Sequence, residues 1–212
     1  MNPPSFYLQL VNPKHPVLWR PSENQLCAFH PGFPHVLLES CAARSLAALL
    51  EELDAFGEIV PVSGYRPRAM QQEIWDDTVQ KQGLDYARQY VAIPGCSEHE
   101  TGLAIDLAAN RPEIDFICPD FPWDGIFGRF RRMAPEYGWI LRYPAGKEEI
   151  TRISSEPWHF RYVGTPHARI LSDRGLVLEE YLAGDPGLPL WNGPQPGKIS
   201  GQETQPAPGR RL

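Results

Sequence analysis

The residues that could carry out chemistry are concentrated in a short segment, residues 97–106, which reads S-E-H-E-T-G-L-A-I-D. An imidazole at His99 and a carboxylate at Asp106 suit a zinc ion, which takes nitrogen and oxygen ligands in tetrahedral geometry. Their separation of seven residues lets His99 lie on a turn that enters a strand, with Gly102 making the bend. Side chains alternate along a strand, so Asp106 is expected to project away from its apolar neighbours. The segment therefore predicts two ligands of one metal ion.

A second segment, E-P-W-H, supplies a candidate third ligand, His159, and a candidate base, Glu156. Three protein ligands leave one zinc position for water, and a glutamate beside that water could take its proton. In a straight strand, however, residues three apart face opposite sides. We therefore expect the chain to bend at Pro157, so that both side chains reach the same ion.

A third segment, S-G-Y-R-P at residues 63–67, lies where a predicted strand gives way to a predicted helix. There Arg66 can offer its guanidinium to a carboxylate or to a developing oxyanion. Together the three segments predict a metal, a base and an anion-binding group.

Each of these residues also has a simpler structural interpretation. Asp106 alone could cap the end of a strand, and a single histidine is more often structural than a ligand. Cys96, beside the first segment, could be an additional soft ligand, although a buried neutral thiol is more common. The residue patterns alone therefore indicate a metallohydrolase as one possibility and go no further.

Composition narrows the class of protein. The chain has 212 residues, with 20 Lys and Arg against 26 Asp and Glu, and its net charge of −6 excludes a strongly basic nucleic-acid binder. A hydrophobic content of 42% with 22% charged residues is typical of a globular protein of one domain or at most two. The 23 prolines and 18 glycines predict many turns and argue against a helical bundle.

Three features of the sequence concern the cellular location of the protein. No segment approaches the roughly 18 to 20 apolar residues of a membrane span. Residues 1–10 contain no Lys or Arg, which is unlike a signal peptide. The four cysteines form no C-x-x-C pair, and we expect reduced thiols in a cytoplasmic protein.

Secondary structure follows from hydrophobic periodicity. Helical spacing predicts helices over residues 39–56, 67–82 and 124–137, each followed by a glycine, and a partly helical segment over residues 166–181. The helix at 67–82 is expected to bury Met70, Ile74, Trp75, Thr78 and Val79. Strands are predicted over residues 6–11, 58–63, 102–108, 139–143, 150–153 and 158–163. Pro61 places the strand at 58–63 on an edge or at a bulge.

This order of elements predicts an α+β domain with a small, largely antiparallel sheet over residues 1–183. Residues 184–212 contain six prolines and six glycines and few apolar anchors. We expect them to form a flexible C-terminal tail.

The motifs resemble those of the zinc D-Ala-D-Ala peptidase family, S-x-H-x-x-G-x-A-x-D and E-x-W-H, and both are complete here. The S-G-Y-R segment and Gln71 also match. Further segments, P-G-C-S-E-H, I-L-R-Y-P and L-Q-L-V-N-P-K-H-P, are similar to the bifunctional D,D-dipeptidase/D,D-carboxypeptidases of vancomycin-resistance clusters. The resemblance runs from about residue 8 to residue 181.

The resemblance implies a small antiparallel sheet flanked by helices, the hedgehog-like fold of this family. It implies that His99, Asp106 and His159 bind zinc, and that Glu156 is the catalytic base.

The resemblance also implies roles around the substrate. Arg66 would polarise the scissile carbonyl or stabilise its oxyanion. Ser97 and Gln71 would hold the C-terminal end of the substrate, which is a small peptide ending in D-Ala-D-Ala.

We therefore expect a zinc-dependent D-alanyl-D-alanine carboxypeptidase that also acts as a D-Ala-D-Ala dipeptidase. An L,D-carboxypeptidase or a wall endopeptidase of the same fold is an alternative, because these enzymes share the metal ligands. A non-catalytic zinc-binding domain is a second alternative, against which the presence of Glu156 and all three ligands argues. The sequence does not indicate an oligomeric state.

Overall fold

In the computed structural model, which describes residues 6–184, a four-stranded antiparallel sheet and a two-stranded antiparallel hairpin are surrounded by helices. The strands are β1 (Leu26–Ala28), β2 (Leu37–Glu39), β3 (Ile59–Ser63), β4 (Ala104–Ala109), β5 (Trp139–Tyr143) and β6 (Glu156–Tyr162). The helices are α1 (Ser40–Glu52), α2 (Arg68–Gln82), α3 (Leu84–Tyr90), α4 (Gly125–Met133), α5 (Glu148–Thr151), α6 (His167–Arg174) and α7 (Leu178–Ala183). The larger sheet has the order β3-β4-β6-β5, which confirms the predicted α+β class.

Helix α1 provides one side of the main core. Leu46, Leu49 and Leu50 recur at helical spacing and are fully buried. The Glu39 carboxylate caps the helix by accepting hydrogen bonds from the amides of Cys41 and Ala42. The helix ends at Glu52, before the predicted residue 56, because Asp54 has a φ of 51° and turns the chain out of the helix.

The sheet packs one apolar face into this core. Leu103, Ile105 and Leu107 come from β4 and the residue before it, and Phe160 comes from β6. The ring of Phe160 lies edge-on to Phe130, with centroids 4.9 Å apart. Since side chains alternate along a strand, Asp106 and His159 project from the other face. That face carries the polar residues described below.

The edge position predicted from Pro61 is confirmed. Strand β3 lies at the edge of the sheet, and its register against β4 shifts between Pro61 and Ser63. A proline is tolerated there because no ladder hydrogen bond to its nitrogen is needed.

Two predicted strands are wrong. Residues 6–11 begin with a 3-10 helix, Phe6–Leu8, and the carbonyls of Tyr7 and Gln9 accept from the buried Arg161 side chain. Residues 150–153 overlap α5 instead, because the Lys147 carbonyl accepts from the amides of residues 150 and 151 and closes a helical turn.

The helix predictions are correct in position but incomplete. The predicted helix at 124–137 is α4 followed by a 3-10 helix, Ala134–Tyr137, and α3 and the β1-β2 hairpin were not predicted. Of the predicted inner face of α2, Thr78 is buried and Ile74, Trp75 and Val79 are half-buried, whereas Met70 is 48% exposed and the unpredicted Gln71 is fully buried. This helix packs chiefly against α3, and it does not lie flat on the sheet.

Two expectations concern the chain beyond this fold. The structure describes residues 6–184. All of the predicted flexible tail, residues 184–212, except its first residue therefore lies outside the described residues. Among the helices of residues 6–184, the longest has 15 residues, and none has the length and hydropathy needed to cross a membrane.

The described core predicts that alanine substitutions at two leucines differ strongly in their effect on the free energy of unfolding. Leu46→Ala removes a fully buried side chain and should lower the free energy of unfolding by about 2–5 kcal/mol, since it leaves a cavity. Leu18→Ala, at a residue 87% exposed, should change it by less than about 0.5 kcal/mol. Urea denaturation followed by circular dichroism measures both, and equal losses would contradict the described core.

Candidate active site

Neighbouring strands bring two of the predicted ligands face to face. Asp106 of β4 and His159 of β6 are direct partners in the antiparallel register, and His159 Nδ1 lies 2.9 Å from Asp106 Oδ1. His99 Nε2 lies 3.0 Å from the other carboxylate oxygen, Oδ2. Within the described part of the chain, these three residues form the only group of three or more His, Cys, Asp or Glu side chains whose ligand atoms all lie within 4.8 Å of one another.

His99 is held by the turn that leads into β4. It lies in a 3-10 helix, Glu98–Thr101, that ends at Gly102 with a φ of 68°, a left-handed conformation that favours glycine. His99 Nδ1 donates to the Gly64 carbonyl at 2.8 Å, so its Nε2 faces Asp106. Gly64 itself must be a glycine, because a Cβ there would lie 2.5 Å from the Leu37 carbonyl oxygen.

His159 is oriented in the opposite sense. Its Nε2 lies 3.4 Å from Glu98 Oε2, which leaves Nδ1 on the side of Asp106. Each imidazole thus uses one nitrogen for a protein acceptor and keeps the other for a shared ligand, as is usual around bound metals. Two imidazole nitrogens and one carboxylate, all buried, fit the donor set of a zinc ion with an open fourth position.

The charges of this cluster also fit a cation. Although burial alone would raise it, the imidazoles of His99 and His159 hold the pKa of Asp106 far below its usual range. Burial disfavours a charged His159, yet Asp106 beside it raises the pKa of His159 to about 10. Asp106 therefore remains a carboxylate that attracts a positive charge, which a proton or a metal ion can supply.

Glu156 reaches the cluster through an irregularity in β6. Against β5, Leu141 pairs with Phe160 whereas Tyr143 pairs with Glu156, so β6 accommodates two extra residues between these pairs. This irregularity lies where a bend at Pro157 was expected, and Glu156 Oε2 lies 3.7 Å from His159 Nδ1. Burial raises the pKa of Glu156 to about 8, and the carboxylates of Asp106 and Glu98 contribute. A cation held at the cluster would lower this pKa again.

The cluster lies in a cavity, and the remaining predicted site residues take different positions around it. Arg66 and Ser97 line the cavity. The Arg66 amide donates to the His99 carbonyl at 3.1 Å, which ties the S-G-Y-R segment to the turn bearing the ligand. Gln71 is fully buried and is not among the lining residues; its side chain donates to the carbonyl of Ala92, which does line the cavity.

Sequence reasoning missed the charged residues that surround the ligands. Glu98 stands at the undefined position of S-x-H, and two buried arginines, Arg142 and Arg161, pair with it. Glu98 and Arg142 stand in the family-like segments P-G-C-S-E-H and I-L-R-Y-P, but nothing in the sequence shows that these segments meet.

A family model described as D-alanyl-D-alanine carboxypeptidase, VanY, matches residues 35–165. The chain is 42% identical over 176 residues to the bifunctional D-Ala-D-Ala dipeptidase and D-Ala-D-Ala carboxypeptidase VanXYC of Enterococcus gallinarum, which covers 82% of this chain and 92% of that protein.

Two solved structures are also similar. One is the vancomycin-resistance D,D-dipeptidase VanXYg in complex with a D-Ala-D-Ala phosphinate analog, with 48% identity, a TM-score of 0.81 and coverage of 84% of this chain and 70% of that chain. The other is a variant of the D,D-pentapeptidase VanY from a VanB-type resistance cassette in complex with Zn(II), with 33% identity, a TM-score of 0.65 and coverage of 84% and 99%. These matches confirm the resemblance seen in the motifs, and the chain belongs to the VanY family of D-alanyl-D-alanine carboxypeptidases.

Proposed function

We propose that this chain is a zinc-dependent D-alanyl-D-alanine carboxypeptidase that removes the terminal D-alanine from peptidoglycan precursors ending in D-Ala-D-Ala, and that it also hydrolyses the free dipeptide. The observation that carries this proposal is the convergence of His99, Asp106 and His159, with Glu156 beside them, in one cavity. Family membership and the substrate names of the relatives support the choice of peptide.

The ligand set assigns a role to each inner residue. Nε2 of His99, Nδ1 of His159 and the Asp106 carboxylate would hold zinc, which supplies Lewis acidity and lowers the pKa of a water at its open position. Glu156 accepts the proton of the attacking water and returns it to the leaving amine. Its position suits both steps, since Glu156 lines the same cavity as the candidate ligands and its Oε2 lies 3.7 Å from His159 Nδ1.

The outer residues bind and orient the peptide. The Arg66 guanidinium lines the cavity, and its Nε has no hydrogen-bond partner, so it retains donors for the oxyanion that forms at the scissile carbonyl. Ser97 contacts the C-terminal end of the substrate. Gln71 acts on the same end by holding Ala92 in the cavity wall.

We also propose that the enzyme works in the cytoplasm, where it meets precursors before they are exported. All four cysteines lie within the described residues and all are free thiols, which suits a reducing compartment. Fractionation of the native cells tests this, and protein found mainly in the extracellular fraction would contradict it.

The first expected outcome is metal-dependent release of D-alanine. The purified protein should release it from D-Ala-D-Ala and from a precursor pentapeptide, lose this activity in a chelator, and regain it when zinc is added back. Release can be followed with a coupled D-amino-acid oxidase assay. Activity confined to a tetrapeptide would instead assign an L,D-carboxypeptidase, and zinc-loaded protein inert on every peptide would indicate a binding domain.

Replacing the base separates chemistry from metal binding. Glu156→Gln keeps the shape of the side chain but cannot accept the proton, so kcat should fall by about 10²–10⁴-fold while the zinc content stays at that of the unmodified protein. Glu149→Gln, at an almost fully exposed carboxylate, serves as the control and should leave both unchanged. A kcat within tenfold of the unmodified enzyme would refute the assignment of Glu156.

Replacing the anion-binding group tests the role of Arg66. Arg66→Ala should lower kcat by about 10²–10³-fold, because an oxyanion is present only in the transition state. Arg129→Ala, on the exposed side of α4, removes an arginine that does not line the cavity and should have no effect. If Arg66→Ala raised KM alone, Arg66 would be a ground-state binding residue and the proposed role would be wrong.

A further inference from the structure

A network of buried charges lies one contact beyond the candidate ligands. It contains two arginines, Arg142 and Arg161, and two carboxylates, Glu98 and Glu179. Both arginines are fully buried, and Glu98 is almost so. Charges of this kind are costly to bury unless they are paired, and here both arginines face carboxylates.

We propose that Glu98 is a positioning residue for the metal centre, and that Arg142 and Glu179 extend this support to the C-terminal helix α7. The inference rests on the proposed zinc site. It adds Glu98 and Arg142, which are not ligands, and Glu179, which lies beyond the range matched by the family model, residues 35–165.

The first step of the argument is the orientation of Glu98. Its Oε1 lies 2.8 Å from Arg142 Nε and 2.8 Å from Arg161 Nη1. With that oxygen held by two cations, Oε2 is left to face His159 Nε2 at 3.4 Å. The carboxylate cannot rotate without losing an arginine, so it determines which nitrogen of His159 carries the proton. Nδ1 then remains free to bind an ion together with Asp106.

The second step is the orientation of Arg142. Its two terminal nitrogens donate to the two carboxylate oxygens of Glu179, at 2.8 and 2.7 Å. Such a bidentate pair sets the plane of the guanidinium and therefore the direction in which Nε points at Glu98. Helix α7 is thereby linked to His159 through three consecutive polar contacts.

The third step is charge balance. Two arginines and two carboxylates leave the network neutral, so it does not repel a divalent ion at His159. Neutralising either carboxylate would leave an excess positive charge beside the metal centre, which weakens cation binding.

The test compares zinc affinities, because a purely structural role would not change them selectively. Glu98→Gln should raise the zinc dissociation constant by about 10–100-fold, measured by competition with a chromophoric chelator. The matched control is Glu100→Gln. Glu100 lies in the same 3-10 helix, is fully buried and pairs with Arg20, but contacts none of the three ligands. It should leave the zinc dissociation constant within threefold of that of the unmodified protein, even if both variants lower the melting temperature of the metal-free protein.

A second pair of variants tests the link to α7 and remains informative if Glu98→Gln does not fold. Glu179→Gln should raise the zinc dissociation constant, by a smaller factor than Glu98→Gln. Glu180→Gln, which removes the partly exposed charge pair with Lys147 but keeps a side-chain oxygen that can accept from the Val177 amide, should not.

Equal zinc dissociation constants in Glu98→Gln and Glu100→Gln would overturn the role of Glu98. Equal constants in Glu179→Gln and Glu180→Gln would overturn the link to α7. Both comparisons use binding alone, so they are independent of whether D-alanine is released. A protein that binds zinc but hydrolyses no peptide would refute the proposed function without affecting this test.

Discussion

The pairing of Asp106 with His159 across β4 and β6 is the interaction on which the rest of the site depends. Direct partners on antiparallel strands hold their side chains a few ångströms apart on one face, and the alternation of the strands fixes that face as the one turned away from the apolar core. His99 then needs only a short turn before β4 to reach the same carboxylate. A rigid sheet, rather than a set of loops, thus holds two of the three candidate ligands.

A polar cluster in the interior must be balanced in charge, and this requirement explains much of the surrounding structure. Asp106 faces two imidazoles, and Glu98 faces two arginines. Burial raises the pKa of Glu156, and the nearby His159 and Arg66 offset this rise only in part. The proposed base thus differs in environment from the candidate ligand Asp106, whose pKa the two imidazoles hold far below its usual range.

The segments outside the sheet serve the same site. The N-terminal segment places the carbonyls of Tyr7 and Gln9 on Arg161, and α7 places Glu179 on Arg142. Both ends of the described chain thus contact the charges that surround His159. The misassigned strand at residues 6–11 has the same explanation, since its carbonyls are used by a buried guanidinium and not by a neighbouring strand. Local alternation of apolar residues could not reveal an acceptor role toward a residue about 150 positions away.

By itself the sequence determined the class of fold and most helices and inner strands, because these depend on local periodicity. Its motifs also singled out the candidate ligands His99, Asp106 and His159 and the candidate base Glu156, which line one cavity in the structure. Strand geometry also predicted an irregularity near Pro157, and the register of β6 against β5 shifts there. The tertiary structure alone decided which group each ring nitrogen of His99 and His159 faces, the removal of Gln71 from the cavity surface, and the network of Glu98, Arg142, Arg161 and Glu179. These features arise from contacts between residues far apart in the chain, and the burial that makes such charges significant exists only after the chain has folded.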